Sequence, residues 1–360
     1  MRVTIDATSA LLRSAGVKSY TYHWIRHLRK LAGDDEIFAF PYLSDFSALD
    51  HERSVLPFWR TTPRIALLHS VNLIGPPLLD AVLAGSEIFH ASNQVRHAPR
   101  RARLTATLHD LTCWLMPHFH TNGNLRADQN FAERILRRAD GLIAVSENTR
   151  QDAIRLLHLS PEKIETIYSG VAGEYFDAPP APRNRPYVLY VGTIEPRKNL
   201  DTLLDAWRQL KPESRREFDL VAAGPVGWSA EATAARIRAE ATYVGYVPEA
   251  QLPGLVAGAT LFVYPSLYEG FGFPVVQAMA ARVPVITSNN SCLPEIAGDG
   301  ALLVDPNSAA EIAAGLTRLL ESESQRSEIA ACGRRRAEHY RWETCAARSL
   351  QFFRRISRCG

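Results

Sequence analysis

Residues 266–286 read SLYEGFGFPVVQAMAARVPVI and decide the fold of the second half of this chain. Glu269 stands directly before a Gly-Phe-Gly turn, and Pro274 then opens a helix-prone run that ends near residue 281. The glycines let the backbone turn tightly and approach a ligand closely. Proline suits the first turn of a helix, where its missing N–H would have no intrahelical partner. The stretch therefore predicts a turn, a helix and, over residues 283–286, a strand.

The same stretch predicts a binding site. A helix start presents N–H groups and a partial positive charge, which suits a phosphate. Glu269 would place a carboxylate beside that anion site. This combination suits a molecule that has a phosphate at one end and hydroxyl groups at the other, such as a nucleotide sugar.

Strand-like and helix-like segments alternate on both sides of this stretch. The alternation predicts parallel sheets with helices on both faces, an α/β fold of two Rossmann-like, doubly wound domains. Four prolines in residues 178–186, APPAPRNRP, predict a linker between them. The predicted boundaries are 1–177 for the N-terminal domain, 178–186 for the linker, 187–340 for the C-terminal domain and 341–360 for a final helix.

Composition fits this organisation. The 360 residues suffice for two domains, and 46% hydrophobic with 22% charged residues indicate a globular chain. The net charge of +3 does not indicate a nucleic-acid partner. Five scattered cysteines, the last of them Cys359, are typical of free thiols in a reducing compartment. Asp6 stands where a signal peptide needs an apolar core, and no apolar run approaches the ~18 residues of a transmembrane helix, so a cytoplasmic protein is expected.

The stretch that begins at Glu269 resembles the signature of the retaining glycosyltransferases of family 4, which have the GT-B fold. That signature is a glutamate, seven residues and a second glutamate; here Gln277 holds the second position. The resemblance covers nearly the whole chain and is strongest at 187–205 and 259–306. It implies two domains facing a cleft, a C-terminal helix that crosses back to the first domain, sugar-hydroxyl contacts for Glu269 and ribose contacts for Gln277. A glutamine keeps the hydrogen bonds but lacks the charge that strengthens them.

Residues 192–199, GTIEPRKN, follow a predicted strand and enter a helix. Lys198 and Arg197 would supply a movable point charge and a planar fork, which suit a diphosphate; the alternative is a solvated turn with two basic residues. The family pattern has an arginine after the glycine and a lysine five residues later. Lys198 matches the lysine, whereas Thr193 replaces the arginine, so Arg197 would take over part of its role.

The first half supplies further candidates. His109 ends a predicted strand over 105–108, and the resemblance implies a position near the donor sugar; a structural histidine is the alternative. A small-residue loop at 14–16 resembles the family's acceptor-side loop, with Lys18 where a second glycine often stands. Ser146 begins Ser-Glu-Asn-Thr, which capping alone would explain. The predicted catalytic residues are Glu269, His109, Lys198 and Arg197; the donor-binding residues are Gly192, Thr193, Tyr246, Val247, Gly270, Phe271, Gly272 and Gln277; the acceptor-side residues are Gly16, Val17 and Ser146.

No metal or other cofactor is expected. The D-x-D pairs with which the other main glycosyltransferase fold holds a divalent ion are absent from the sequence. Catalysis would then depend on positioning and on stabilising the charge of the leaving diphosphate.

Two basic stretches suggest a membrane partner. The helix predicted near Tyr20 to Leu31 has an apolar stripe that suits either a membrane surface or, more commonly, packing on a sheet. Residues 96–103, RHAPRRAR, carry five Arg and His in eight positions. They favour a weak peripheral contact with anionic lipid or with a phosphate-bearing acceptor; a solvated loop is the alternative.

The resemblance and the missing D-x-D pairs together predict a retaining, metal-independent glycosyltransferase. The segments GTIEPRKN and EGFGFP look most like the bacterial mannosyltransferases of surface-polysaccharide assembly, and this resemblance sets the first choice of donor. The donor would be GDP-mannose or else a UDP-sugar, the acceptor a glycan or lipid-linked glycan, and the location cytoplasmic with a peripheral contact on the inner face of the membrane. The alternatives are a nucleotide-sugar-binding protein with weakened catalysis and a GT-B-like sugar-nucleotide epimerase. A nicotinamide dehydrogenase is disfavoured because no G-x-G-x-x-G opens the first domain.

Overall fold

The computed structural model describes residues 1–13, 16–44 and 49–358. Residues 14 and 15 of the predicted loop and Cys359 lie outside the described residues. The chain forms two compact units, Met1–Gly170 with Trp342–Gly360, and Val171–Arg341. Each unit has a parallel sheet flanked by helices, which confirms the predicted α/β fold of two Rossmann-like domains.

The first unit contains a sheet that has six strands within the described residues, in the order β2-β1-β3-β4-β5-β6. Its strands are β1 Arg2–Asp6, β2 Glu36–Phe40, β3 Ile88–Ala91, β4 Arg103–Leu108, β5 Gly141–Ala144 and β6 Ile164–Thr166. Its first helices are α1 Gly16–Leu31, α2 Phe58–Ile74, α3 Pro76–Val82, α4 Thr112–Leu115, α5 Asn122–Arg134 and α6 Glu147–Leu157. The strands β3, β4 and β5 are almost wholly buried, as parallel strands covered on both faces must be.

The second unit repeats this plan, with the strand order β12-β11-β10-β7-β8-β9 in the part of the chain that is described. The strands are β7 Tyr187–Val191, β8 Asp219–Ala223, β9 Thr242–Gly245, β10 Leu261–Tyr264, β11 Val285–Ser288 and β12 Leu302–Val304. The helices are α7 Glu174–Asp177, α8 Leu200–Gln209, α9 Pro212–Glu217, α10 Glu231–Glu240, α11 Leu252–Ala257, α12 Phe273–Ala280, α13 Leu293–Ala297, α14 Ala309–Leu320 and α15 Glu323–Ala337. Because β7 to β10 run parallel, the loops after them emerge at one edge of the sheet.

The last helix, α16 (Trp342–Arg358), belongs to the first unit, as predicted. It packs along α1, where Trp24 Nε1 donates to Ser349 Oγ at 2.9 Å. Trp24 also lies 4.8 Å from the ring of His90 on β3, and Tyr20 and Leu28 are buried with it. The apolar stripe of α1 is therefore a packing face, and the membrane-surface interpretation of this helix is wrong.

The units divide between Gly170 and Val171, earlier than the boundary predicted after residue 177. Residues 171–177, which precede the proline-rich segment, already belong to the second unit, because α7 packs against its helices α11 and α12. The proline-rich segment itself is fastened there, since the Ala181 N–H donates to the Gly254 carbonyl at 2.9 Å.

Two elements are displaced from their predicted positions. The strand predicted over 283–286 begins two residues later, at Val285, because Pro284 has no N–H to donate to a neighbouring strand. The sequence from residue 128 to residue 139 predicts a helix, but the helix found there, α5, starts earlier, where the Thr121 side chain accepts from the Asn124 N–H. A short 3₁₀ turn, Leu136–Arg138, occupies the end of the predicted range.

Candidate functional site

Three glycines draw the strand-end loops of the second sheet together. The Gly192 N–H donates to the Ala223 carbonyl at 3.0 Å, and the Gly224 N–H donates to the Gly245 carbonyl at 2.8 Å. Gly224 has a φ of +134°, and a Cβ atom there would lie 2.0 Å from the Gly192 carbonyl oxygen. No larger residue fits this approach, so the loops after β7, β8 and β9 form one surface because Gly224 is a glycine.

The start of α12 depends on a further glycine, Gly272. Gly272 has a φ of +84° and directly precedes the helix, with Pro274 in its first turn. A Cβ atom on Gly272 would lie 2.8 Å from the Leu293 side chain. The predicted tight turn into a helix is therefore present, and it holds Glu269 at the end of the loop after β10.

The Glu269 carboxylate is buried in a cluster of donors. Its Oε1 atom accepts from Lys198 Nζ at 2.6 Å and from two hydroxyls, those of Ser266 at 2.6 Å and Tyr264 at 3.0 Å. Its Oε2 atom lies 3.2 Å from the Arg197 guanidinium. Three predicted catalytic residues, Glu269, Lys198 and Arg197, are thus in direct contact.

Arg197 is held by more than this ion pair. Its guanidinium donates to the Tyr268 carbonyl at 2.6 Å and to the Glu195 carboxylate at 2.7 Å. Glu195 is 4% exposed, so a second buried carboxylate balances the second cation. Both cations thus hold carboxylates of their own chain, which neither the predicted diphosphate site nor the alternative of a solvated turn included.

The cluster keeps Glu269 ionised. Burial raises the pKa of this carboxyl, but the charges of Lys198 and Arg197 and the donated hydrogen bonds outweigh burial and bring the pKa to about 2. Burial raises the pKa of the Tyr264 hydroxyl well above its ordinary value, so this group stays a neutral donor. Glu269 is therefore a hydrogen-bond acceptor at neutral pH and cannot act as a general acid.

Three members of the cluster were not predicted from the sequence: Tyr264, Ser266 and Glu195. Tyr264 is the last residue of β10 and Ser266 follows it, so the rule that ligands bind beyond strand ends could have found both. Glu195 lies inside the segment GTIEPRKN, and its position two residues before Arg197 is the signal that could have found it.

The other predicted donor-side residues surround these loops. Thr193 accepts from the Tyr190 hydroxyl through its carbonyl at 3.4 Å. Gly270 and Phe271 are buried in the turn before α12. Tyr246 and Val247 are half-buried after β9, and Gln277 is half-buried on α12.

The first unit has a cavity of about 180 Å³ at the carboxyl ends of its strands. His109 lines it, with its ring edge-on to Tyr20 at 4.9 Å. His90 also lines it and contacts the Thr105 and Thr107 hydroxyls at 3.0 and 2.9 Å. Burial lowers the pKa of His109 to about 4; burial and the neighbouring His109 lower the pKa of His90 to about 3. Both rings are neutral at physiological pH.

The predicted acceptor-side residues have different surroundings. Val17 lines the cavity, next to Gly16 at the exposed start of α1. Ser146 is buried, and its hydroxyl caps α6 by accepting from the Thr149 N–H at 3.1 Å, which accounts for it structurally. Lys18, in the place of a family glycine, is buried and donates to the carbonyls of Leu12 at 2.7 Å and Arg53 at 2.6 Å.

Neither a metal-binding group nor a membrane-spanning helix is present in the described residues. In residues 1–13, 16–44 and 49–358, no group of three or more His, Cys, Asp and Glu side chains is placed to hold a metal ion. None of the helices in those ranges combines the length and hydropathy needed to cross a bilayer.

Comparisons with known proteins match both units. The model "Glycosyl transferases group 1" matches residues 172–336, and the model "Glycosyltransferase Family 4" matches residues 14–175. The chain is 32% identical to O-antigen chain mannosyltransferase B of Escherichia coli over 329 residues, 86% of this chain and 85% of that protein.

Solved structures agree on the fold. Sucrose-phosphate synthase from Thermosynechococcus elongatus has a TM-score of 0.76 at 20% identity, with 100% of both chains covered. Anabaena HepE, whose structure contains UDP and glucose, has a TM-score of 0.71 at 18% identity, with 98% of both chains covered. The two sheets and these matches define the class, a glycosyltransferase with the GT-B fold. Within that class the chain belongs to family 4, and it resembles bacterial mannosyltransferases of surface-polysaccharide assembly.

Proposed function

We propose that this protein transfers a hexose, with mannose as the first candidate, from a nucleotide sugar to a glycan or lipid-linked acceptor. The observation that carries the proposal is the ionised Glu269, buried against Lys198 and Arg197 at the turn into α12. A fixed carboxylate accepts hydrogen bonds from sugar hydroxyls, and adjacent cations with a helix start suit a diphosphate. Similarity to an Escherichia coli O-antigen mannosyltransferase supports GDP-mannose, and the UDP in HepE makes a UDP-sugar the second candidate.

Lys198 would serve both ends of the donor. An ammonium has three N–H donors, and in the described residues Nζ uses two of them on Glu269 and Tyr264. The third can reach a diphosphate oxygen, so the same ammonium that orients Glu269 would stabilise the charge of the leaving group. Gly192, Gly270 and Gly272 would let the backbone approach the donor, while Tyr246 and Val247 would contact its base.

The proposed reaction keeps the anomeric configuration and needs no metal or other cofactor. The bond between the anomeric carbon and the diphosphate oxygen breaks with its electron pair going to the phosphate. The acceptor oxygen bonds to the same face, and its proton passes to the departing phosphate oxygen. The protein would contribute position and charge: Glu269 orients the sugar, and Lys198 with Arg197 stabilises the developing negative charge.

The acceptor would use the first unit. The described residues that line its cavity include His109 and Asp110 but neither Lys nor Arg. Such a lining favours uncharged hydroxyl groups over phosphates. We assign His109 to the reacting end of this cavity, with Gly16 and Val17 at its acceptor side. A lipid-linked acceptor would bring a cytoplasmic enzyme to the inner face of the membrane.

The test combines nucleotide binding and donor hydrolysis. A thermal-shift panel should show stabilisation by GDP greater than that by UDP, since a ligand of the folded state raises the melting temperature. The reverse order would replace GDP-mannose by a UDP-sugar. Glu269→Ala should abolish the slow hydrolysis of the donor, and unchanged release of the sugar would show that the catalytic assignment of Glu269 is wrong. Nuclear magnetic resonance of the product reports whether the anomeric configuration is kept.

A further inference from the structure

The helix α2 exposes an apolar face to solvent. Phe58 is 85% exposed, Trp59 73% and Leu73 86%, more than any other large hydrophobic side chain in the described residues. Ile74 at the end of the helix is also exposed. Isolated exposed hydrophobic residues are ordinary, but several on one helix mark an interaction surface.

These side chains form a strip along the helix. At 3.6 residues per turn, Phe58, Trp59 and Leu73 fall within an arc of about 100°, together with Thr62, Ala66 and His69. The opposite side carries Leu68 and Val71, which are buried in the core of the first unit. Apolar residues on both sides explain why sequence periodicity does not reveal α2. A strip that runs the length of a helix suits a flat surface.

The basic segment 96–101 is attached to the end of this strip. The Asn72 side chain donates to the Gln94 carbonyl at 2.9 Å and accepts from the Arg96 N–H at 2.9 Å. His97 bonds to the Asn72 carbonyl through Nε2 at 3.0 Å. The segment therefore lies beside Leu73 and Ile74, with three exposed arginine residues, Arg96, Arg100 and Arg101.

Charge on the helix has the same sign. The sequence of α2 contains Arg60, Arg64 and His69 but neither Asp nor Glu. Near the basic segment, the Asp80 carboxylate accepts the Arg100 backbone N–H at 2.9 Å. That bond uses the backbone of Arg100, and within the described residues no carboxylate forms an ion pair with Arg96, Arg100 or Arg101. The three guanidinium groups therefore add positive charge beside an apolar strip that carries a tryptophan, the combination that binds anionic membrane interfaces.

We propose that α2 and residues 96–101 form a docking surface for an anionic phospholipid bilayer. The strip from Phe58 to Leu73 inserts at the boundary between headgroups and acyl chains, and the arginines contact lipid phosphates. A second copy of this chain fits less well, because a symmetric contact through this surface would bring two cationic patches together. The surface needs neither donor nor acceptor, so it is independent of the proposed function.

Vesicle co-sedimentation tests the surface with the whole protein. Wild type should bind vesicles of equal parts phosphatidylglycerol and phosphatidylcholine, and bind pure phosphatidylcholine at least about tenfold more weakly. The triple variant Phe58→Ser, Trp59→Ser, Leu73→Ser should lose at least about tenfold in affinity for the mixed vesicles. Leu303→Ser, an exposed leucine of the second unit, is the matched control and should bind as wild type.

A second set of variants tests the charge. The change of Arg96, Arg100 and Arg101 to Ser should weaken binding to mixed vesicles at least about tenfold and reduce its dependence on salt. The matched control changes Arg215, Arg216 and Arg318, which are exposed on the second unit. Unchanged melting temperatures establish that all variants fold, as the exposure of the altered side chains leads us to expect.

Three results would overturn the proposal. Wild type could fail to bind mixed vesicles. The variant altered at Phe58, Trp59 and Leu73, or the variant altered at Arg96, Arg100 and Arg101, could bind them as wild type does. Alternatively, wild type could form a dimer in sedimentation velocity that the Phe58, Trp59 and Leu73 triple variant loses, with no vesicle binding by either protein. That last outcome would make the surface an interface between copies of the chain.

Discussion

Asp6 in the first unit and Glu269 in the second are buried carboxylates at the ends of parallel strands, 3% and 7% exposed. Among the described residues, Asp6 accepts only from neutral donors, namely the backbone N–H and hydroxyl groups of Thr8 and Ser92. Burial raises its pKa despite these bonds. Glu269 has two cations as well as hydroxyl donors, and its pKa falls to about 2. With neutral donors alone, the cost of desolvation dominates and the carboxyl pKa rises. With paired cations, their attraction exceeds that cost and the pKa falls.

The same contrast extends to the two sites. The cavity of the first unit is lined by the two neutral imidazoles and by the side chains of Asp6, Asp110 and Asp128, with neither Lys nor Arg among its described lining residues. The second unit instead places the cations of Lys198 and Arg197 against the carboxylates of Glu269 and Glu195. A charged diphosphate therefore suits the second unit, and an uncharged sugar suits the first. The following changes would break or sharpen this division.

Removing Lys198 should have the largest effect. Lys198→Met leaves Glu269 buried without its 2.6 Å partner, and we expect a loss of about 3–5 kcal/mol in the free energy of unfolding. Donor hydrolysis should fall about 10²–10³-fold, because the leaving diphosphate also loses a donor. Urea unfolding and initial rates measure the two effects.

Two controls accompany Lys198→Met. Lys198→Arg keeps the charge and should recover part of both losses. Lys211→Met removes an exposed pair with Glu321 and should leave both the stability and the rate close to those of wild type. Hydrolysis by Lys198→Met at the wild-type rate would contradict the role of Lys198 at the leaving group.

Gly224→Ala tests whether the donor loops need their close approach. The new Cβ would lie 2.0 Å from the Gly192 carbonyl oxygen at a φ of +134°, so the loops must separate. We expect about 3 kcal/mol or more of lost stability and weaker nucleotide binding, measured by urea unfolding and calorimetry. Gly173→Ala, where a Cβ meets nothing within 4 Å, should stay within about 0.5 kcal/mol of wild type. Equal stability of the two variants would show that the loops can separate at Gly224 without a measurable cost in stability.

Sequence patterns located Glu269, Lys198 and Gly272 because strand ends, glycine turns and helix starts are local features. The ion pair between Glu269 and Lys198 could not be predicted, since it joins residues 71 positions apart whose meeting depends on the adjacent placement of β7 and β10. The helix α2 was missed for a different reason: its apolar residues do not face only one side. A strand as short as β12 offers too few residues for alternation to be visible.

The histidines of the first cavity predict a pH effect on stability. His90 has a pKa of about 3 in the folded chain against about 6.5 when unfolded, so between these values only the unfolded chain binds the proton. Stability therefore falls as the pH decreases from 6.5, by about 1.4 kcal/mol per pH unit for one such group. His90→Gln should reduce this slope between pH 6.5 and 5 in urea unfolding. The exposed His69→Gln is the matched control, and identical slopes for wild type and His90→Gln would refute the buried neutral imidazole.

Gln277→Glu should have the smallest effect and bears on the nucleotide end of the donor. Gln277 is half-buried in the second turn of α12, the helix that directly follows the turn holding Glu269. A carboxylate there would accept charge-assisted bonds from ribose hydroxyls, which are stronger than those of an amide by about 1 kcal/mol, so donor nucleotide affinity should rise about fivefold. Calorimetry with GDP and UDP measures it, and Gln209→Glu at the exposed end of α8 is the control. Weaker binding would mean that the new charge repels the diphosphate. Gln277 would then lie nearer the phosphates than the ribose, and the proposed orientation of the donor in the second unit would have to change.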